Sequence, residues 1–324
     1  MRLLRAELHR FRSRRFIVLL VLLGLAVFVT VVSIASTNFA KPSAAGLAKA
    51  RQAVQEQVAQ QNAFRKECLA NIQPGQTAEV CPPPADASQF NVADFMQKRS
   101  FVLAKDGPSG ASGVAGGVSA LLFVIGATWI GAEWSSKTMT ALLFWEPRRV
   151  RVLATKLGVL VAAAAVVAAL GQALWFGAAR LLASTRGVEG GLPSGFYGDL
   201  LAHEARGVLL GVLIACLGFA LSNLVRNTGA ALGIGFVYFA IVENAIRALR
   251  PRWQSGLLTN NAAALLNDDG NRFFVEDHFI DKHGLAQNVR EVVLGNLHGA
   301  LVLSAAALVL LAVGGVLFSR RDLQ

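Results

Sequence analysis

The sequence predicts an all-α polytopic membrane protein with six transmembrane helices, an N-terminal interfacial helix and an external helical hairpin between the first two spans. Composition is the first observation behind this. Of 324 residues, 54% are hydrophobic and 16% charged, and mean hydropathy is +0.49, whereas soluble chains carry about a quarter charged residues. The second is that six apolar runs reach the ~20 residues a helix needs to cross a bilayer, where each backbone N–H and C=O must be satisfied within its own segment. The third is an uneven placement of Lys and Arg among the loops, which orients the spans.

Residues 1–15 place Leu4, Leu8 and Phe11 on one side of a helix with arginines around them, the pattern of a segment lying in the cytoplasmic interface. The first span is 16–36, interrupted only by Thr30 and Ser33 before Ser36. Its basic-then-apolar start has the form of a secretory signal, but the apolar run exceeds the usual signal core of about 7–15 residues. Residues 37–112 are too long and too polar for a mere connector. Leu47, Val54 and Val58 stand at helical spacing in an Ala- and Gln-rich stretch, and Pro82, Pro83 and Pro84 break it. Asn91 is placed to cap a second helix bearing Val92, Phe95, Met96, Arg99 and Val102. Together these make the external helical hairpin.

The second span is 114–132, followed by a cytoplasmic coupling loop at 133–152 and the third span at 153–178. The fourth is 205–224, the fifth 228–246, and the sixth 297–318, after an external loop at 247–296 and before a tail at 319–324. Lys156 and Arg206 lie near span ends, where long side chains reach the headgroups. Gly113 with Gly117, and Gly229 with Gly233, have the four-residue spacing that lets helix backbones approach closely in lipid. Glu243 is the one acid within the fifth span, near its outer end. It is the candidate polar site on a substrate path, weighed against a hydrated structural role.

Orientation follows from charge. The N-terminal segment carries Arg2, Arg5, Arg10, Arg12, Arg14 and Arg15; the 133–152 loop carries Lys137, Arg148, Arg149 and Arg151; the tail carries Arg320 and Arg321. All three share one side in a six-span chain, so both termini are expected in the cytoplasm of a multi-pass plasma-membrane protein. The loop from Arg247 to Glu291, which includes Lys282, is charge-balanced instead. The net charge of +11 is therefore a topology signal, and nucleic acid is not an expected partner. Cys68 and Cys81 fall in the external loop, an oxidising compartment, and their spacing permits a disulfide. A metal site there would have two candidate ligands and no nearby His. Cys216 lies within the fourth span, where a buried thiol is ordinary.

Catalytic signatures are not found. His203 and Glu204 are adjacent, but Gly207 stands where a zinc helix needs its second His. His278 and His283 sit in a polar loop without a paired cluster, and "GPSGASGVAGG" at 107–117 has neither form of phosphate-binding glycine loop. The chain is expected to be no enzyme and to bind no cofactor or metal of its own.

The stretch "GAEWSSKTMTALLFWEPRRVRVLATKL", residues 131–157, closes the second span and leads into the third. With the arginine-rich entry to span one and the large external loop, it resembles the permease subunit of a type-2 ABC exporter, an ABC-2 type transporter permease. Gly131, Glu133, Thr138, Arg148, Arg149 and Lys156 stand at places matching that family's pattern; "FALSNLVRNTGAALGIGFVYFAIVE" resembles its tight turn between spans four and five, and "SRRDLQ" its usual ending. Lys137 departs from it, since many relatives have Gly there. The resemblance implies two copies of a separate ATPase subunit that bind ATP and Mg, and a second permease, identical or related. It also implies surrounding membrane lipids and a lipid-like, amphipathic drug or peptide cargo. It assigns coupling to the ATPase to Glu133, Trp134, Thr138, Met139, Leu142, Leu143, Arg148 and Arg149, with Glu133 expected to begin the coupling helix. The alternatives are an ion-gradient-driven secondary transporter and a non-transporting membrane sensor or assembly protein.

Overall fold

The structure, a computed structural model, describes residues 2–72, 77–187, 191–281 and 284–320, and of residues 2, 276–281 and 284–288 the backbone alone. Lys282, His283 and Arg321 lie outside the described residues, as does the side chain of His278. The helices are α1 (Arg2–Ser13), α2 (Arg15–Thr37), α3 (Ala44–Ala70), α4 (Leu103–Ser135), α5 (Thr138–Trp145), α6 (Arg149–Arg186), α7 (Phe196–Val225), α8 (Thr228–Val237), α9 (Glu243–Leu249), α10 (Leu258–Leu266) and α11 (Asn296–Arg320). Among the described residues, six stretches are long and apolar enough to cross a membrane: α2, α4, α6, α7, α8 continued through a π-turn into α9, and α11. The chain is therefore an all-α polytopic membrane protein.

Two compact units are present, one of residues 1–29, 107–177 and 194–324, the other of 30–106 and 178–193. In the first, Leu122, Ile125, Trp129, Ile130, Met139, Leu160, Phe219 and Phe318 form a continuous buried core. α4 and α7 cross at Gly126 and Gly218, where a Cβ would stand 2.2 Å from the Ala215 carbonyl oxygen and 2.3 Å from that of Phe123. Of the glycines expected to provide such approaches, Gly113, Gly117 and Gly233 have nothing within 4 Å of where a Cβ would be, and Gly229 has only the Asn227 side chain. Spacing marks a small-residue stripe but not which stripe faces another helix of the same chain.

After α10 the chain makes an antiparallel hairpin, β1 (Asn271–Asp281) with β2 (Gly284–Leu294), in register from Asn271 opposite Leu294 to Asp281 opposite Gly284. The sequence reading has only a loop here, although Phe273, Phe274 and Val275 facing Val292, Glu291 and Arg290 include the β-branched and aromatic residues strands favour. α10 is held at its C-terminal end by Asn296, whose amide donates to the carbonyls of Ala264, Leu265 and Asn267 at 2.9, 3.1 and 2.7 Å.

In the second unit, Ser43 caps α3 by accepting from the Gly46 N–H at 3.0 Å, and Ala50 and Val54 are its buried residues. Cys68 and Cys81 are joined in a disulfide. Asn62 exchanges two 3.0 Å hydrogen bonds with the backbone of Ala85, fixing the proline-rich return arm on α3. That arm is not the second α-helix the sequence predicts. Asn91 does cap, accepting from the Ala93 N–H, but what it caps is the single 3₁₀ turn Val92–Phe95. The chain must be extended again by Arg99 and Phe101, which bridge to Phe39 and Gly187, and so short a segment cannot sustain an α-helix on its own.

Candidate functional site

The cluster richest in buried charge lies where the two ends of the chain meet the α4–α6 connection. Lys156, on the first turns of α6, is 0% exposed. Its Nζ donates to Glu7 of α1 at 2.6 Å and lies 2.7 Å from Glu133 of α4. Arg14, between α1 and α2, donates to the other Glu133 oxygen at 2.6 Å and to the Trp129 carbonyl at 3.0 Å. Arg10 closes the network on Glu7 at 3.0 Å. Two buried carboxylates are thus matched by three bases, which is what lets charge persist out of water. Burial lowers the Arg14 guanidinium below its usual pKa, and the Glu133 charge opposes that shift.

Trp129 is the platform of this clasp. Arg14 and Lys156 lie over its ring at 4.6 and 4.9 Å from the centroid, Phe11 meets it edge-on at 5.0 Å, and its indole N–H donates to the Lys156 carbonyl at 3.2 Å. The sequence positions each partner by helical spacing: Glu7 and Phe11 are four apart on α1, Trp129 and Glu133 four apart on α4. On α1 that face is turned into the protein, while Leu4 and Leu8 remain exposed.

Two expectations are corrected here. Lys156 does not reach toward headgroups; its ammonium is consumed by Glu7 and Glu133. Arg206, unlike Lys156, stays partly exposed, in a pair with the exposed Asp268. Glu133 does not begin a helix either. It stands in the last turn of α4, the end whose dipole disfavours a carboxylate by about 0.3–1 kcal/mol, and Arg14 with Lys156 outweighs that.

The turn after α4 is made by Lys137, whose backbone is left-handed at φ 57°. A side chain in that region costs roughly 1–2 kcal/mol, so Lys137→Gly is expected to leave stability unchanged or raise it by up to about 1 kcal/mol after the larger chain entropy of Gly is subtracted. A thermal unfolding midpoint below that of the parent would contradict this. α5 then buries Met139 and Leu143 in the core of the first unit, with Leu142 half-buried and Thr138 exposed. Trp134 is also used internally: its ring meets Phe318 at 5.6 Å, its N–H donates to Asn223 at 3.3 Å, and Arg226 stacks over it at 4.5 Å. Arg149 donates to the Phe318 and Ser319 carbonyls at the end of α11 at 3.3 and 3.4 Å, while Arg148 is exposed. What α5 presents outward is Phe144 and Trp145, 86% and 90% exposed. Neither stood out in the sequence, and Glu7 did not either, although it is the only acid among the arginines of α1.

Elsewhere, Glu243 is fully buried rather than hydrated. It accepts from the Thr259 N–H at 3.1 Å, from the Thr259 hydroxyl, and from Arg247 at 3.3 Å, tying α9 to the start of α10. Ser112, His203 and Asp268 stand near one another, with His203 Nε2 2.9 Å from Ser112 Oγ, but Nδ1 is 3.6 Å from Asp268 Oδ1 and makes no hydrogen bond to it, so a hydrolase triad is not completed. Ser112 also lies inside α4, where backbone N–H groups are engaged within the helix and cannot form an oxyanion hole.

Compared with known proteins, residues 3–323 match the family described as "ABC-2 family transporter protein". No curated protein matches the chain significantly.

Proposed function

Because the chain belongs to the ABC-2 transporter family, we propose that it is the permease subunit of an ATP-driven exporter, with both termini in the cytoplasm of the plasma membrane. It pairs with a second permease, identical or related, around the path of a lipid-like, amphipathic drug or peptide cargo. Two ATPase subunits bind ATP and Mg and do the hydrolysis. The supporting observation is that α5 exposes Phe144 and Trp145 while Met139 and Leu143 anchor it, and that the Glu7–Lys156–Glu133–Arg14 clasp lies where α4 and α6 flank it. A push on α5 is then delivered to α4 and α6 together, with α1 moving as part of the same body. Mechanical coupling requires such a stiff joint, because a segment that yields locally dissipates the displacement instead of passing it on.

The residues doing this divide by role. Phe144 and Trp145 make the apolar contact with the ATPase, with Thr138 and Arg148 at its rim; Met139, Leu142, Leu143, Trp134 and Arg149 hold α5 in place; Glu133 belongs to the joint. Replacing the whole of 134–143 would therefore damage the core, and the contact is better tested on the outward pair. Phe144→Ala with Trp145→Ala is expected to weaken co-purification of the ATPase subunit from native membranes, by about 2 kcal/mol or roughly thirty-fold, with the permease's own unfolding midpoint unchanged. Undiminished co-purification would overturn the contact assignment.

A further inference from the structure

We infer that the face of α7 turned toward α6 is a binding site for the ammonium group of an amphipathic amine. Its centre is Glu204, which is 8% exposed and which no hydrogen bond or ion pair reaches among the described residues. An ionised carboxyl out of water needs a cation beside it. The neighbouring helices supply none: α4 has no charged residue between Asp106 and Glu133, and α6 none between Lys156 and Arg180. Arg206 is two residues on, which places it on the opposite side of α7, and Asp268 engages it. His203 is turned away as well, with Nε2 2.9 Å from Ser112 Oγ of α4. Gly207 and Gly211 continue the Glu204 face and, having no side chains, let Gln172 of α6 and Ser119 of α4 lie against it. A Cβ at Gly207 would be 2.5 Å from Gln172 Nε2, and one at Gly211 3.9 Å from Ser119 Oγ. Gln172 and Ser119 are 4% and 5% exposed, yet Gln172 Oε1 and Ser119 Oγ have no partner. Because the Gln172 amide nitrogen donates to the Ala111 carbonyl at 3.3 Å, its free atom is the oxygen, an acceptor. A carboxylate and an amide oxygen without donors call for a cation that carries N–H groups. The rest of the face selects an apolar chain. Tyr197, seven residues before Glu204, meets Phe176 of α6 with ring centroids 6.4 Å apart, and Leu201, one turn before it, is exposed on a helix apolar enough to span the membrane. A chain attached to the ammonium therefore leaves past aromatic and leucine side chains into lipid. Naming such an amine as cargo rests on the export reading; the site does not, since binding is measured on the permease alone, so either can fail without the other.

The test is native mass spectrometry of the full-length chain in detergent, titrated at neutral pH with dodecylamine, which is protonated there, or with dodecanol, which has the same chain and no charge. Dodecylamine is expected to be retained in preference, and Glu204→Gln, which keeps the shape, to weaken its retention about tenfold or more, the effect of losing a charged hydrogen bond. Gln172→Leu should weaken it about three- to tenfold, the effect of a neutral one. Glu79→Gln, at an exposed acid of the second unit, is the control and should change nothing. Without amine, Glu204→Gln should leave the thermal unfolding midpoint at or above that of the parent, because the carboxyl has no partner to lose. Equal retention of dodecylamine and dodecanol would overturn the proposal, as would undiminished retention of dodecylamine by Glu204→Gln. A lower midpoint for the amine-free Glu204→Gln chain would also overturn it, showing that water or a base already satisfies the carboxyl.

Discussion

Lys156→Met is expected to destabilise the permease by about 3–5 kcal/mol, the effect of stranding one side of a buried ion pair. The side chain volumes are similar, so packing around Trp129 is nearly kept; what changes is that Glu7 and Glu133 lose the ammonium 2.6 and 2.7 Å away. Glu133 retains Arg14, but Glu7 is left with Arg10, whose guanidinium is half in solvent and screened. Glu7→Gln in the Lys156→Met background should therefore recover part of the loss, although Glu7→Gln alone is destabilising. That reversal of sign distinguishes charge balance from simple loss of packing, in which the two losses would add. The measurement is the thermal unfolding midpoint of the purified chain for the two single variants and the double. A double variant less stable than Lys156→Met would refute the clasp as the source of the effect.

What the sequence showed and what it hid divide along a physical line. The six spans were legible because hydropathy accumulates over about twenty residues and tolerates errors at either end; the helices merely run on past the apolar stretches, as α4 does to Leu103 and α6 to Arg186. α3 was legible for a similar reason, being long and periodic. The clasp was not, because Glu7 and Lys156 are 149 positions apart and nothing local in either pairs them. A lysine inside an apolar run signals that some partner exists, and snorkelling is only the cheapest answer available without a fold. Glu133 was misplaced because the apolar run stops at residue 132 while the helix does not. The break comes at Lys137, where the resembling family's glycine would have been the cue. For α5, eight residues are too few for periodicity to choose a face, so the sequence reading puts Met139 and Leu143 in the partner contact and leaves out Phe144 and Trp145.

Gly126→Leu is expected to prevent the α4–α7 crossing from forming, and Gly126→Ala to cost about 1–3 kcal/mol, the usual effect of overpacking a close contact. In an isolated helix the smaller change would be favourable by about 1 kcal/mol, since Ala is the better helix former. The geometry decides which effect wins. A Cβ on Gly126 would lie 2.2 Å from the Ala215 carbonyl oxygen, and one on Gly218 2.3 Å from the Phe123 carbonyl oxygen. Both obstacles are backbone atoms of the facing helix, so no rotamer change relieves them and the helices must separate, opening gaps around Leu122 and Phe219 in the same core. Because both glycines serve one crossing, Gly126→Ala with Gly218→Ala should cost less than the sum of the two: once the helices have moved apart for the first methyl, the second finds room. Gly117→Ala is the comparison, on the same α4 but with nothing within 4 Å, and should leave the unfolding midpoint of the isolated chain at or slightly above that of the parent. Fluorescence-detected size-exclusion after heating measures all five variants, the Gly218→Ala single included, in one detergent, and a Gly126→Ala chain as heat-resistant as Gly117→Ala would mean that α4 and α7 do not meet at these carbonyls.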